Sequence, residues 1–560
     1  MRRVPALSAA VAALALLSVA LSGGVAAAPG DGGGSASVTA AACEAGAGDE
    51  QVGCWNGTHY ADSVAVNQTD GLNDAELAAL TDLTMARVEH VRERPFREDV
   101  PVETVARSAY ANDTATADGG EPFGRWNDQV WRALFVVGDD ADAGGEIDTV
   151  FGGAVSGFYS PTEDRIVIVV PDGETVRIDP STLAHELLHA MQDQYHGLAE
   201  PRYAGATQDG DLAVDGIVEG EAVHVEERYA ARCADNWTCV DAPDGGNGGG
   251  FDGNVGILQT VLQPYGDGAL YVEELVAEDG WSAVNETMND PPASTSEVIH
   301  RDPDYETRNV TFEDAATGGW ETYPDQGVDG AETAGEASMF VLFWYQSFAY
   351  DAPVLEPDAS AGENVRLHLD SDARLQTRPV YSYAHPVTDG WVGDELYPYR
   401  NGDRDGHVWA TEWRTAADAA AFADAYRRTV AAHGDGDYED GSVYVIDDGE
   451  SDAFPGAYGV ERDGTRVTVT HAPSPEGVFE LRPDADLAPP DEDAGGDANA
   501  GGDDADDGDN ADDGETGEVD SGADGSDGTG ATGASTLGLG VVAGVAALLV
   551  SLSLLARRRV

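Results

Sequence analysis

The sequence predicts an α+β protein, and three observations carry that expectation. Val155 to Tyr159, a Ser-Pro turn and Arg165 to Val170 alternate like a β-hairpin and lead through Pro171-Asp172-Gly173 into a helix capped near Asp179 or Ser181. Upstream, Ala75 to Glu93 has helical periodicity and Val100 to Val105 alternates like a strand. Downstream, Asp394 to Arg400, His407 to Trp413, Ser442 to Ile446 and Arg466 to His471 read as strands around an Ala-rich helix from Thr415 to Val430. No solenoid-type repeat is present.

These elements fall into an N-terminal segment of about 43 to 120, a central domain of about 121 to 310 and a C-terminal α+β segment of about 311 to 484. Before them, Met1-Arg2-Arg3, an apolar run from Ala6 to about Leu21 and small residues through Ala28 read as a signal peptide, residues 1–28. After them, residues 485–535 are Asp, Gly and Ala with scarcely a large apolar side chain, a composition that cannot offset the entropy of ordering. That stretch is expected to be an acidic stalk. Residues 536–556 are apolar and long enough to cross a bilayer, and the arginines within 557–560 mark the inner side. The body is therefore expected on the cell surface, tethered to the membrane by its C-terminal helix.

The charge agrees with an external, salt-rich setting. The 560 residues carry 30 Lys+Arg against 104 Asp+Glu, a net charge of -74, and every one of those cations is an arginine. Such a surface repels itself in dilute buffer, whereas at molar salt the Debye length falls to roughly 3 Å. Nucleic acid is excluded as a partner by the same repulsion. The 42% hydrophobic residues, with 10 Trp and 20 Tyr, exclude a disordered acidic chain. Cys43, Cys54, Cys233 and Cys239 form two close-spaced pairs, for which two local disulfides, Cys43–Cys54 and Cys233–Cys239, are expected in an exported chain. Asn-x-Ser/Thr sequons at Asn56, Asn67, Asn112, Asn236, Asn285 and Asn309 fit the same setting.

The chemistry concentrates in Ser181 to Leu198, STLAHELLHAMQDQYHGL. His185 and His189 stand four apart and share a helix face, so two imidazoles can bind one Zn2+ ion while Glu186 reaches its bound water. Leu183, Leu187, Leu188, Ala190 and Met191 supply the buried faces of that helix. A catalytic zinc takes a third protein ligand and keeps one position open. Thirty positions beyond His189 lies Glu219, within Val218-Glu219-Gly220-Glu221-Ala222.

At these residues the sequence resembles the gluzincin metallopeptidases, over about residues 150 to 275. The resemblance implies a zinc-peptidase domain in which the His-Glu-x-x-His helix lies beside a small sheet and a second helix supplies a glutamate ligand. It gives the ligand role to Glu219, with Glu221 and Glu226 as rivals expected on a solvated face, and His196 and His224 as rivals off the family's spacing. Pro264-Tyr265-Gly266-Asp267-Gly268-Ala269 is similar to the Tyr-x-x-Gly-Ala segment of zinc aminopeptidases, which implies that the Tyr265 hydroxyl meets the oxyanion. The Gly-x-Met-Glu-Asn strand of those aminopeptidases has no counterpart; the equivalent strand reads GGAVSGFY. An endopeptidase acting on a peptide or protein laid along that strand is the expectation. Asp193 and Asp215 are candidates for orienting the ligands.

More broadly, the tail resembles the sorting signals of haloarchaeal surface proteins, though no Pro-Gly-Phe precedes the helix. The chain also resembles haloarchaeal surface proteins of undefined function in its Pro-Pro-Ala-Ser-Thr-Ser-Glu-Val-Ile-His segment, ending at His300, and in Gly390-Trp391-Val392-Gly393-Asp394. A different class of function stays open beside the peptidase: a non-catalytic envelope or adhesion protein that keeps the same scaffold. A purely structural zinc site is the third reading, although such a site would close its fourth position with Cys or His.

Overall fold

The computed structural model describes residue 43 and residues 51–490, apart from 115–119, 156, 244–252, 351, 353, 356–380, 435, 448 and 450–452. The signal peptide, most of the stalk, the apolar stretch 536–556 and the arginine end lie outside the described residues. Among the described residues no helix is long and apolar enough to cross a membrane.

In chain order the elements are β1 (Cys54–Trp55), β2 (Thr58–His59), α1 (Asp74–Arg92), β3 (Val102–Ala106), α2 (Arg107–Thr114), α3 (Glu121–Ala133), α4 (Ala143–Ala154), β4 (Gly157–Ser160), β5 (Arg165–Val170), α5 (Pro180–His196) and α6 (Gln208–Asp235). They continue with α7 (Val255–Val261), a π-helical turn (Pro264–Gly268), α8 (Ala269–Asp279), α9 (Trp281–Asn289), α10 (Thr295–His300), β6 (Glu321–Thr322) and α11 (Gly335–Ala349). The chain closes with β7 (Trp391–Asn401), β8 (Arg404–Trp413), α12 (Ala416–Ala432), β9 (Val443–Ile446), β10 (Gly456–Asp463), β11 (Arg466–Ala472) and α13 (Pro475–Leu481). The α+β class is as expected.

Two sheets organise the chain beyond the short β1–β2 pair. The smaller has the order β3-β5-β4, with β3 parallel to β5 and β4 antiparallel to it, so the expected hairpin forms and β4 is an edge strand. The larger is antiparallel, in the order β6-β7-β8-β11-β10-β9. Helix α11 is buried on every side from Gly335 to Gln346 and lies in a core that also holds Trp126 of α3, Phe422 and Tyr426 of α12, and Trp391, Trp409 and Trp413 of the large sheet. A second core joins α1, α5 and α6 to the small sheet through Leu80, Val88, Ile166, Ile168, Leu183, Leu187, Ala222 and Tyr229. This core sets α5 against α6. Both expected disulfides, Cys43–Cys54 and Cys233–Cys239, are present.

Helix starts in the middle of the molecule are tied down by buried carboxylates. Helical first turns leave backbone N–H groups without intrahelical acceptors. Glu332 Oε1 accepts from Gln208 N at 2.8 Å and from Thr333 N at 2.9 Å, and Asp209 accepts from Thr295 N at 2.9 Å. Asp394 accepts from Ala334 N and Gly335 N, each at 3.0 Å, and from the indoles of Trp391 and Trp409 at 3.0 and 2.8 Å. The starts of α6, α10 and α11 are thereby drawn to one place.

Candidate metal centre

Helix α5 begins where Asp179 accepts a hydrogen bond from Ser181 N with Pro180 in the first turn, and it ends at Gly197, whose φ of 68° is the left-handed stop a glycine adopts at little cost. One face of α5 enters the core described above. The other presents His185 and His189 to α6, where Glu219 faces them.

Glu219 Oε2 lies 3.2 Å from His185 Nε2 and 3.2 Å from His189 Nε2. A tetrahedral ion held at roughly 2.0–2.1 Å from nitrogen and oxygen sets its ligand atoms roughly 3.3 Å apart. The two carboxylate–imidazole spacings match that value, all three atoms lie within 4.8 Å of one another, and the three side chains are buried. The fit extends to the far ring atoms. Glu226 Oε2 lies 3.3 Å from His185 Nδ1, and because a carboxylate only accepts, Nδ1 carries the proton and Nε2 is left to ligate. Gln192 does the same for His189. Its Nε2 donates to Val218 O and to Glu221 Oε2, each at 2.9 Å, which turns its Oε1 toward His189 Nδ1, 2.9 Å away.

Charge in the cluster is mutually dependent. Burial opposes protonation of His185, yet its hydrogen bonds to Glu219 and Glu226 outweigh that and lift the imidazole to about 10. Burial likewise acts to raise Glu219, but the charge of His189 and the hydrogen bonds of both histidines bring it down to about 2. The carboxylates thus demand positive charge between them. Protons on the imidazoles supply it here, and a divalent ion held at this place would supply it instead.

Glu186 stands beside the ligands without joining them. Its Oε2 accepts from Tyr159 N of β4 at 3.0 Å, while Oε1 is buried and has no hydrogen-bond partner among the described residues. Burial pushes its carboxyl up to about 7, against the pull of His185 and His189. Tyr265 also belongs to the centre. Its ring lies nearly parallel to that of His185, with centroids 6.4 Å apart, and its hydroxyl is buried without a hydrogen-bond partner among the described residues. Burial, and then the charge of Glu219, hold that hydroxyl well above the usual phenol range, so it is a donor.

The turn that carries Tyr265 reaches the centre because of two glycines. A Cβ on Gly220 would lie 2.3 Å from Gly268 O, and one on Gly268 would lie 2.3 Å from Gly216 O. Only bare backbone lets α6 and the π-helical turn approach this closely.

The structure thus brings His185, Glu186, His189, Glu219 and Tyr265 together. It places three of the rivals elsewhere: Glu221 pairs with Arg92, His196 meets Asn289 and Arg94, and His224 meets Arg228 at 2.7 Å, while Glu226 meets the far nitrogen of His185. Glu221 and Glu226 are buried rather than solvated, at 1% and 5% exposure, because Arg92 and His185 meet them. The two orienting candidates are also replaced. Asp193 accepts from the Tyr159 hydroxyl at 2.8 Å and from Leu198 N, and Asp215 is half-buried with Oδ2 unpartnered among the described residues, whereas Gln192 and Glu226 touch His189 and His185. Gln192 follows His189 by three residues, and that helical spacing was the available signal.

Residues 321–482 match the model of a domain of unknown function, DUF8575. No curated protein and no solved structure matches the chain. The matched stretch begins beyond Tyr265, so it carries none of the residues of this centre.

Proposed function

We propose that the chain is a cell-surface, zinc-dependent peptidase, acting as an endopeptidase, with His185, His189 and Glu219 as metal ligands. The observation that carries this reading is the pair of unpartnered buried groups, Glu186 Oε1 and the Tyr265 hydroxyl, beside a three-ligand cluster. Two imidazoles and one carboxylate suit zinc, with a position left for water. Bound zinc would polarise that water and the scissile carbonyl.

The remaining roles belong to the protein. Glu186 Oε1 takes the proton of the attacking water as the C–O bond forms, and returns it to the amine as the C–N bond breaks. Tyr265 keeps its proton and donates a hydrogen bond through its hydroxyl to the oxyanion. The substrate backbone is expected along β4, the edge strand whose Tyr159 N already meets Glu186. Surface location is supported by the acidic composition and the two disulfides.

One observation favours the second reading, a surface protein that keeps this scaffold without catalysis. His185, Glu186, His189, Glu219 and Tyr265 each retain no more than 2% exposure, so a substrate must displace what covers them. Zinc content and casein cleavage of the purified protein in high salt, with and without a chelator, separate the two. Zinc with chelator-sensitive cleavage is expected. Zinc without cleavage of casein or of a randomised peptide library would leave the scaffold reading.

A further inference from the structure

Two stretches that the metal centre leaves unused, the one ending at His300 and the one beginning at Gly390, meet in the fold. His300 is the last residue of α10, Asp389 immediately precedes Gly390, and Glu336 of the first turn of α11 stands with them. His300 Nε2 lies 3.1 and 3.0 Å from the two oxygens of Glu336, and one ligating atom from each of the three residues falls within 4.8 Å of the others.

Several features separate this triad from a chance group of surface acids. Glu336 is entirely buried, and the Ser296 hydroxyl fixes its Oε2 at 2.6 Å. Asp389 Oδ1 is buried and has no hydrogen-bond partner among the described residues. A proton on His300 can offset one carboxylate, which leaves a second, desolvated oxygen without any donor, an arrangement native proteins avoid. A divalent ion offsets both. The His300 ring is held by stacking on Tyr305, with centroids 5.3 Å apart and planes 9° apart, and its side chain keeps 24% exposure, which gives an ion a way in.

We propose that His300, Glu336 and Asp389 form a second divalent-metal site, separate from the centre on α5 and α6. One imidazole and two carboxylates suit a borderline ion such as Zn2+ better than Mg2+ or Ca2+, which prefer oxygen alone. Water completes the coordination. The ion ties the segment ending at His300 to two points inside the stretch that matches DUF8575.

The test is metal stoichiometry. The purified full chain in high salt is stripped with a chelator, dialysed against Zn2+ and assayed for ions per chain. Two ions are expected in the wild type, one in His300→Ala, one in Asp389→Asn, one in Glu219→Ala and none in His300→Ala combined with Glu219→Ala. The ion retained at the first centre reports that each single variant is folded. Wild-type stoichiometry in both His300→Ala and Asp389→Asn overturns the site, as does a wild type holding one ion that Glu219→Ala alone removes. Loss of both ions in both single variants makes these residues supports of the fold and also overturns it. A single wild-type ion that His300→Ala removes and Glu219→Ala leaves would uphold this site and sink the first ligand set.

Discussion

Gln192 Oε1 lies 2.9 Å from His189 Nδ1, and the same amide donates through Nε2 to Glu221, which is itself paired with Arg92. The arginine thus fixes the amide, the amide fixes the imidazole tautomer, and the tautomer points Nε2 toward Glu219 and the candidate metal position. Gln192→Leu keeps the volume and removes the acceptor, so it should weaken metal binding about 10–100-fold. Competition against a chromogenic chelator measures this. Affinity equal to wild type would show that His189 is oriented by packing alone.

Glu186 and Glu219 are both buried carboxylates, yet their environments assign them different tasks. Glu186→Gln removes a proton acceptor that touches no ligand, and should lower cleavage about 100-fold or more with zinc content unchanged. Glu219→Ala takes a charged ligand from two imidazoles at once, and should lose zinc together with activity. Metal analysis and peptide cleavage run on the same samples separate the two. Full zinc in Glu219→Ala would exclude it as a ligand.

Tyr265 offers a cleaner test, because its hydroxyl makes no well-formed hydrogen bond among the described residues and faces chiefly the charge of Glu219. Tyr265→Phe should leave stability within about 0.5 kcal/mol of wild type and zinc content intact. Turnover should still fall about 10²–10³-fold, with the loss in kcat rather than KM, as for removal of an oxyanion donor. Unchanged kcat would take the oxyanion role away from this residue.

What could be read beforehand was local. The α5 cap at Asp179, the β4–β5 hairpin and α12 with Thr415 as its cap each depend on residues within a few positions of one another. Helix α11 escaped because Met339-Phe340-Val341-Leu342-Phe343-Trp344 is apolar without a 3.6-residue period, as a helix buried on all sides must be. The parallel pairing of β3 with β5 also escaped, since it joins strands about sixty residues apart through intervening helices. At the site, spacing placed His185 and His189 on one face of α5, and the resemblance pointed to Glu219, which the fold sets against both. Glu226 was misplaced on a solvated face because its partner, His185, lies 41 residues earlier.

Gly220 sits between two acidic residues of α6, where its helix propensity is poor, and the reason is the backbone of Gly268 pressed against it. Gly220→Ala would put a methyl 2.3 Å from Gly268 O and 2.5 Å from Gly268 C. A rigid carbonyl cannot yield as a side chain does, so the turn bearing Tyr265 must move. The variant should lose about 1–3 kcal/mol in denaturant unfolding and should lower kcat while keeping its zinc. A variant as stable and as active as wild type would mean that the turn adjusts freely.

Glu332 makes stability depend on pH in a direction opposite to a paired carboxylate. Burial raises its carboxyl to about 8, against hydrogen bonds from Gln208 N and Thr333 N that both fall on Oε1. The folded protein therefore keeps a proton on Glu332 that the unfolded chain releases near the ordinary value of 4.5. Between these two values the native state binds the extra proton, so this residue's contribution to stability falls as pH rises through the interval and levels off above about 8. Glu332→Gln copies the protonated acid: its carbonyl oxygen accepts the same two N–H bonds and nothing remains to ionise. Relative to wild type it should be near neutral at about pH 4 and stabilising on the order of 3 kcal/mol at about pH 8. Urea unfolding in high salt across that range checks it. An equal difference between the two proteins at both ends would show that Glu332 does not titrate with folding.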